Sequence, residues 1–258
     1  NANNIGLIIG HSFASDRSGR LWIGADDSLN QYDPATGTFT QYRSDNEECG
    51  TVRIAHDIVE DQEGVIWLAT DDGLTALDPA TSKTTCHRPR YTPGSGETRI
   101  IGMAAVPDGT LWSTSSAGLY ALDRRTGKVT RHLKLETDSG ARFVSTGFPS
   151  RPFLDRNGTL WVGLSSGGDL AAVNVATGAV TVYAFENGEL APNASSGVVS
   201  IQEDRDGALW LGTNQGLAWL DTLQPHINSM APGVRIGDVL YGTTQTPLQE
   251  GLRLPAGT

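Results

Sequence analysis

Five histidines are the side chains of this sequence best suited to moving protons or binding metals near neutral pH. They are His11, His56, His87, His132 and His226. No His-x-His or His-x-Glu spacing occurs among them, and a local metal or acid–base motif would need such a pair. His11 and His56 each lie five residues before an aspartate of a repeated turn, which indicates a shared repeat position. The histidines therefore do not predict a catalytic pair.

Adjacent carboxylates and cysteines are the other groups that could hold a metal. Asp26–Asp27 and Asp71–Asp72 lie in equivalent loops, but the ligand spacing of a calcium loop is absent, so we interpret them as solvated turn residues. Cys49 and Cys86 are too few for a disulfide framework and lack metal-ligand spacing. They can form one disulfide in an oxidising compartment or remain two unlinked thiols. The sequence predicts no metal and no cofactor.

The overall charge argues against several classes of partner. The 258 residues carry a formal charge of −10, from 19 basic and 29 acidic side chains, whereas nucleic-acid binding needs clustered Lys and Arg. Apolar runs such as Ile5–Ile9 are far too short to cross a bilayer. The chain begins without Met or a signal peptide, and we expect it to be a piece of a longer protein.

The tryptophans mark an internal repeat. A Gly-x-(Leu/Ile)-Trp motif occurs five times, at tryptophan spacings of 45, 45, 49 and 49 residues. The tryptophans are Trp22, Trp67, Trp112, Trp161 and Trp210. Three residues before each glycine stand Asp16, Asp61, Val106, Asp155 and Asp204. A large aromatic at the same strand position of every repeat is typical of packing between sheets, so we expect Trp67 and Trp161 to be buried.

Each repeat has the pattern of four short strands. The first ends at the aspartate, the Asp-x-x-Gly stretch forms a tight turn, and the second strand carries the tryptophan. A Gly-Leu stretch begins the third strand, and a Thr-Gly turn precedes the fourth. Repeats of roughly 40–50 residues with four strands are the signature of β-propeller blades. The predicted fold is all-β, with five blades over residues 1–231, bounded at about 1–45, 46–90, 91–138, 139–187 and 188–231.

These motifs resemble the two-component regulator propeller repeat. In the fifth copy the match runs through Ile201–Asp204, Leu209–Thr213 and Gly216–Leu217, and the five copies cover Leu7 to about Asp221. The resemblance implies that the blades belong to a larger ring, commonly of seven. It also implies the non-catalytic sensing part of a bacterial membrane receptor.

The tail is similar to the opening of the immunoglobulin-like triple-tyrosine (Y_Y_Y) domain that follows such propellers. The similar segments are Pro232–Ile236 and Leu252–Pro255, so that domain is expected to begin within residues 232–258. The resemblance then implies a periplasmic location and a homodimer formed through the full-length receptor. A transmembrane helix and a cytoplasmic histidine kinase or diguanylate cyclase would follow beyond this chain.

The residues at one face of the blades predict ligand binding. Loops after the tryptophan strands carry hydrogen-bonding side chains, among them Asp72, Ser166 and Asn214. Asp57 and Arg151 each stand four residues before a turn aspartate, where strand alternation can direct a side chain towards the central channel. We expect a small polar ligand, such as an oligosaccharide, to contact these five side chains. The alternative is that they are solvated turn and channel residues.

A propeller enzyme of the streptogramin-lyase type is the alternative function. Such lyases resemble this chain in a Gly-x-Leu-Trp core, and they use histidines and a glutamate with a metal on one face. The histidine spacing of this sequence does not supply that acid–base arrangement. We therefore expect no turnover of lactone antibiotics, with or without a divalent metal.

Overall fold

The computed structural model describes the residues that form the repeated sheets and their turns. These are residues 12–25, 28–43, 55–89, 100–115, 118–133, 150–164, 170–183, 198–213, 216–221, 239–241 and 244–246. The regular structure within these ranges is β-strand. No helix in the described part of the chain is long and apolar enough to cross a membrane.

Five groups of strands follow one another, and we name them blades one to five. Blade one contains β1 (Ser12–Ser15), β2 (Leu21–Gly24), β3 (Leu29–Asp33) and β4 (Thr38–Tyr42). Blade two contains β5 (Asp57–Glu60), β6 (Ile66–Thr70), β7 (Gly73–Asp78) and β8 (Lys83–His87). Blade three contains β9 (Gly102–Ala105), β10 (Thr110–Ser115), β11 (Gly118–Asp123) and β12 (Val129–Leu133). Blade four contains β13 (Phe153–Leu154), β14 (Thr159–Gly163), β15 (Leu170–Asn174) and β16 (Val180–Tyr183). Blade five contains β17 (Val198–Glu203), β18 (Ala208–Thr213) and β19 (Gly216–Asp221).

Each blade is an antiparallel sheet whose strands pair in chain order. Blades one to four have four strands, and blade five has three strands among its described residues. The first strands of neighbouring blades contact one another, β1 with β5, β5 with β9, and β9 with β13. Because these contacts join successive blades, the first strands form the inner side of the arrangement. The predicted all-β propeller fold is confirmed.

The turn aspartate holds the first turn of a blade together. Asp16 Oδ1 accepts hydrogen bonds from the backbone N–H groups of Ser18 and Arg20, at 2.9 and 3.0 Å. Its Oδ2 accepts the indole N–H of Trp22 at 2.9 Å. Gly19 closes the turn at φ +79°, a conformation that glycine adopts without a steric penalty. The Asp–Trp bond recurs at 2.8 Å in blades two, four and five, so these aspartates have a structural role.

Blade three keeps this turn without the aspartate. The backbone N–H of Val106 donates to the carbonyl of Thr110 at 2.9 Å, as in the other blades. Asp108 Oδ1 accepts the N–H of Thr110 at 2.8 Å and so takes over part of the missing role. The indole N–H of Trp112, however, is buried and has no hydrogen-bond partner among the described residues.

The core lies between blades, and the tryptophans are its largest members. Trp67 exposes 3% of its surface and Trp161 exposes 5%, so their predicted burial is confirmed. Trp161 packs against Leu209 and Leu211, the residues that flank the tryptophan of the next blade. Each internal interface therefore pairs the tryptophan face of one blade with an aliphatic face of its successor.

The predicted immunoglobulin-like segment at residues 232–258 stays a prediction. Within it the structure describes β20 (Val239–Tyr241) and β21 (Thr244–Thr246), which pair antiparallel. The two segments that carry the resemblance, Pro232–Ile236 and Leu252–Pro255, lie outside the described residues. The blade boundaries and the size of the ring also remain predictions.

Candidate ligand-binding site

Asp57 begins β5, the innermost strand of blade two, and it is buried. The residue exposes 4% of its surface. Its Oδ1 accepts the backbone N–H of Ile58 at 2.9 Å, and its Oδ2 accepts the N–H of Met103 in β9 at 2.8 Å. The carboxylate therefore joins the innermost strands of blades two and three.

Arg151, just before β13 in blade four, reaches Asp57 across blade three. Its Nη1 lies 3.1 Å from Asp57 Oδ1, and its Nη2 donates to the carbonyl of His56 at 2.8 Å. Gly102 in β9 permits this approach, since a Cβ at that position would lie 2.8 Å from the Cα of Arg151. Carbon atoms in van der Waals contact are about 3.5–4 Å apart. Three blades thus converge on one ion pair.

His56 and Asp71 extend this cluster towards the loop that follows the tryptophan strand. His56 Nε2 lies 2.8 Å from Asp71 Oδ1. Asp71 comes directly after β6, whereas His56 comes directly before β5. The start of an inner strand and the loop after the tryptophan strand therefore lie at the same edge of blade two, as the sequence predicts.

The two members of the ion pair differ in their access to solvent. Burial raises the pKa of Asp57 to about 6, against the opposing effects of the Arg151 charge and of the N–H groups of Met103 and Ile58. The Arg151 side chain is 43% exposed. Its guanidinium has five N–H donors, and its contacts with Asp57 and His56 use two of them. Arg151 can therefore donate hydrogen bonds to a polar or anionic ligand.

The structure brings together two of the five predicted site residues, Asp57 and Arg151. Asp72 is exposed in the turn after β6, where its backbone N–H donates to Thr70 Oγ1 at 3.2 Å. Ser166 and Asn214 lie outside the described residues, so their part in the site stays a prediction.

The sequence pattern does not mark His56, Asp71 and Gly102 as members of this cluster. A signal for each was present, because His56 and Asp71 are the chain neighbours of the predicted residues Asp57 and Asp72. Gly102 stands four residues before Val106, at the Asp57 position of blade three. A glycine at this position points to the site only when it is known that Arg151 of the neighbouring blade lies where a side chain would be.

The other described histidines lie in the fourth strands of their blades and stack on aromatic rings of the same blade. His87 in β8 stacks on Trp67 with ring centres 5.6 Å apart, and burial lowers the pKa of His87. His132 in β12 stacks on Tyr120 at 4.2 Å. Among the described residues there is no group of three or more side chains that could hold a metal ion.

Successive four-stranded antiparallel sheets that meet at their first strands define a β-propeller. The family described as outer membrane protein assembly factor BamB (PQQ_2) matches residues 4–245, and the chain belongs to this family. No curated protein matches the chain.

Solved structures with this fold include signalling proteins and an enzyme. The extracellular domain of a hybrid two-component system from B. thetaiotaomicron is 24% identical, with a TM-score of 0.64 over 87% of this chain and 29% of that one. The extracellular domain of a one-component system from the same organism is 23% identical, with a TM-score of 0.62 over 83% and 29%. Virginiamycin B lyase from Staphylococcus aureus is 16% identical, with a TM-score of 0.61 over 84% and 71%. The chain spans less than a third of the two extracellular domains, and at these identities the likeness shows the fold.

Proposed function

We propose that this chain is a non-catalytic, ligand-sensing part of a propeller in the extracytoplasmic region of a bacterial membrane receptor. Its ligand is a small polar molecule, such as an oligosaccharide, bound beside Asp57 and Arg151. The observation that carries the proposal is the ion pair itself, in which a partly exposed arginine side chain is anchored to a buried carboxylate. That arrangement fixes the guanidinium in place and leaves donors free for a ligand.

The position of the pair suits sensing because it joins three blades. A ligand that draws Arg151 away from Asp57 weakens the link between blades two and four, so it favours one arrangement of the blades over another. Each net hydrogen bond contributes only about 0.5–1.5 kcal/mol. Useful affinity therefore needs further contacts, for which the loop residues Asp72, Ser166 and Asn214 are the candidates.

Three observations support the receptor context. The repeat motifs resemble those of two-component regulator propellers, and the fold is that of the two extracellular domains compared above. Cys86 is disulfide-bonded, which suits an oxidising compartment such as the periplasm. In this proposal residues 221–232 form the joint to the immunoglobulin-like domain, which passes the signal to an output module in a homodimeric receptor.

A thermal-shift screen with neutral and uronic-acid disaccharides tests the site. For a sugar that raises the melting temperature, Arg151→Ala should weaken binding about tenfold or more, the effect of losing a charge-assisted hydrogen bond. Arg151→Lys keeps the charge but loses the planar fork, so it should bind with intermediate affinity.

Arg156→Ala is the matched control, because Arg156 also pairs with a carboxylate between blades. It lies in the turn after β13, whereas Arg151 lies before β13, at the other end of the strand. It should bind like the parent. If Arg151→Ala and Asp57→Asn both bind the sugar as tightly as the parent, the inner-strand face is not the site.

The lyase alternative is tested separately, by incubating the chain with a streptogramin B lactone and Mg²⁺. We expect no ring opening above background, because His56 is held by Asp71 and the other described histidines stack on aromatic rings. Metal-dependent ring opening that His56→Ala abolishes would contradict the non-catalytic proposal.

A further inference from the structure

Blade five presents a tryptophan face that the described residues do not cover. Leu217 is 44% exposed, and Trp210 is only partly buried. The tryptophans of blades one to four expose at most 5% of their surface. The leucines equivalent to Leu217 are at most 2% exposed, and they are Leu29, Leu74, Leu119 and Leu170. Inside the molecule this face always packs on the next blade, so blade five has the surface that accepts one.

A polar contact accompanies that packing at the turns between the first and second strands of blades one and two. The backbone N–H of Arg17 donates to Glu60 Oε2 at 2.7 Å, and Arg17 Nε lies 3.2 Å from the same oxygen. The guanidinium also donates to the carbonyl of Asp61. We name this contact the turn latch: an arginine directly after one turn aspartate binds the Glu-Asp pair of the next blade.

The turn latch occurs again between blades four and five. The backbone N–H of Arg156 donates to Glu203 Oε2 at 3.0 Å, and Arg156 Nε lies 2.6 Å from Glu203 Oε1. The guanidinium again donates to the carbonyl of the turn aspartate, Asp204. The same three contacts at two separate interfaces show a feature of the repeat.

At each internal interface the arginine and the glutamate of the turn latch are either both present or both absent. Where blade two meets blade three, the two positions hold Gln62 and Ala105. Where blade three meets blade four, they hold Pro107 and Leu154. The two positions of the turn latch therefore vary together, and an arginine in one blade predicts a glutamate in the blade that follows it.

Blade five carries the arginine, Arg205. The residue is exposed, and only its backbone carbonyl bonds a described residue, by accepting Nη1 of Arg156 at 3.0 Å. Blade one has Ser15 at the glutamate position, so neither this chain's own blade one nor that of a second copy matches Arg205.

We propose that the tryptophan face of blade five docks a further blade of this repeat, one that carries Glu-Asp at its first turn. Its aliphatic face covers Trp210 and Leu217, and its glutamate binds Arg205. Phe13 gives blade one the complementary apolar surface, since it is 56% exposed while its equivalents Ile58 and Met103 are buried against the preceding blade. Blade one therefore has an exposed apolar residue at the docking position but no glutamate, so a glutamate introduced there tests the proposal.

The test uses the whole chain and the substitution Ser15→Glu, with Ser15→Gln as the uncharged control. Docking of blade five on blade one is read as self-association by sedimentation velocity, and as a raised melting temperature if the two blades meet within one chain. Ser15→Glu should strengthen docking roughly fivefold over Ser15→Gln, the upper range for an exposed ion pair. Adding Arg205→Ala should remove that gain, and adding Leu217→Asp should abolish docking.

The proposal is overturned if Ser15→Glu docks no better than Ser15→Gln. It is equally overturned if the gain persists in the Arg205→Ala background, because the glutamate would then be recognised by another group.

Discussion

The Asp–Trp hydrogen bond makes the turn and the core of a blade one unit. One carboxylate oxygen of the aspartate binds the turn backbone, and the other binds the indole N–H, as in Asp155 with Thr159 and Trp161. The bond from Trp210, helped by backbone N–H groups, holds the pKa of Asp204 below its ordinary value. The aspartate is therefore charged at neutral pH and serves as a structural acceptor.

Two tryptophans provide a matched pair for measuring this bond. Trp161→Phe leaves a buried oxygen of Asp155 without its donor, which costs about 1–3 kcal/mol. Trp112→Phe removes the same atoms from an equivalent position, but in the described part of the chain its indole N–H has no partner to lose. Urea unfolding followed by far-UV circular dichroism should show Trp161→Phe to be the more destabilising by about that amount. Equal losses in the two variants would show that the bond contributes nothing net.

Asp57 should make the stability of the protein depend on pH. Its pKa is about 6 when folded and about 3.9 in an unfolded chain, so the folded state holds the proton more tightly. The stabilisation from this proton is complete below about pH 4 and is lost as the pH rises through about 6. The shift corresponds to about 3 kcal/mol. The stability of the parent relative to Asp57→Asn should therefore fall by up to that amount between pH 4 and 7.

Asp72→Asn is the control for this measurement, because Asp72 is an exposed acid of the same blade. Its stability difference from the parent should stay nearly constant over the same range. A constant difference for Asp57→Asn as well would mean that Asp57 is not desolvated in solution.

At the scale of strands and turns, the sequence was sufficient wherever the determinant is local. The fourth strand expected after the Thr-Gly turn is β4 in blade one. The Thr-Gly turns place Gly37 and Gly127 at φ +69° and +66°. In blade two Thr81-Ser82 stands where the other copies have Thr-Gly, and the turn is kept, since Ser82 adopts φ +55°. A non-glycine residue in this region is uncommon, so the repeat enforces the turn even without its glycine.

The site could be predicted only in part, because its contacts join residues far apart in the chain. The first-strand pattern predicts Asp57 and Arg151 as site residues, but it does not predict their contact. Arg151 crosses the inner strand of an intervening blade to reach Asp57. That crossing depends on the missing side chain of Gly102. A glycine in the sequence does not show by itself that a neighbouring residue occupies the space beside it. The pairing of His56 with Asp71 likewise depends on how two loops meet in the folded blade.

At the scale of the whole molecule, the disulfide makes the stability of the fold depend on whether the surroundings are oxidising or reducing. Cys86 lies in β8, the outermost strand of blade two, and is disulfide-bonded. The sequence contains two cysteines, and the other, Cys49, lies outside the described residues. A bond between the two cysteines of the sequence closes a loop that spans most of blade two. It restricts the unfolded chain far more than it alters the packed blades.

Removing the disulfide should therefore lower the stability of the protein while leaving its fold intact. A loop of roughly 40 residues corresponds to about 4 kcal/mol in the chain-entropy description. The double variant Cys49→Ser/Cys86→Ser should unfold at a lower urea concentration, with an unchanged far-UV circular dichroism spectrum before the transition. Reductant should shift the parent to the midpoint of the double variant and leave the variant itself unaffected, because the bond is the only reducible group. The cysteines are not paired if the denatured, unreduced parent has two free thiols, or if its midpoint does not respond to reductant. Either result would also remove the support that the disulfide gives to a location in an oxidising compartment.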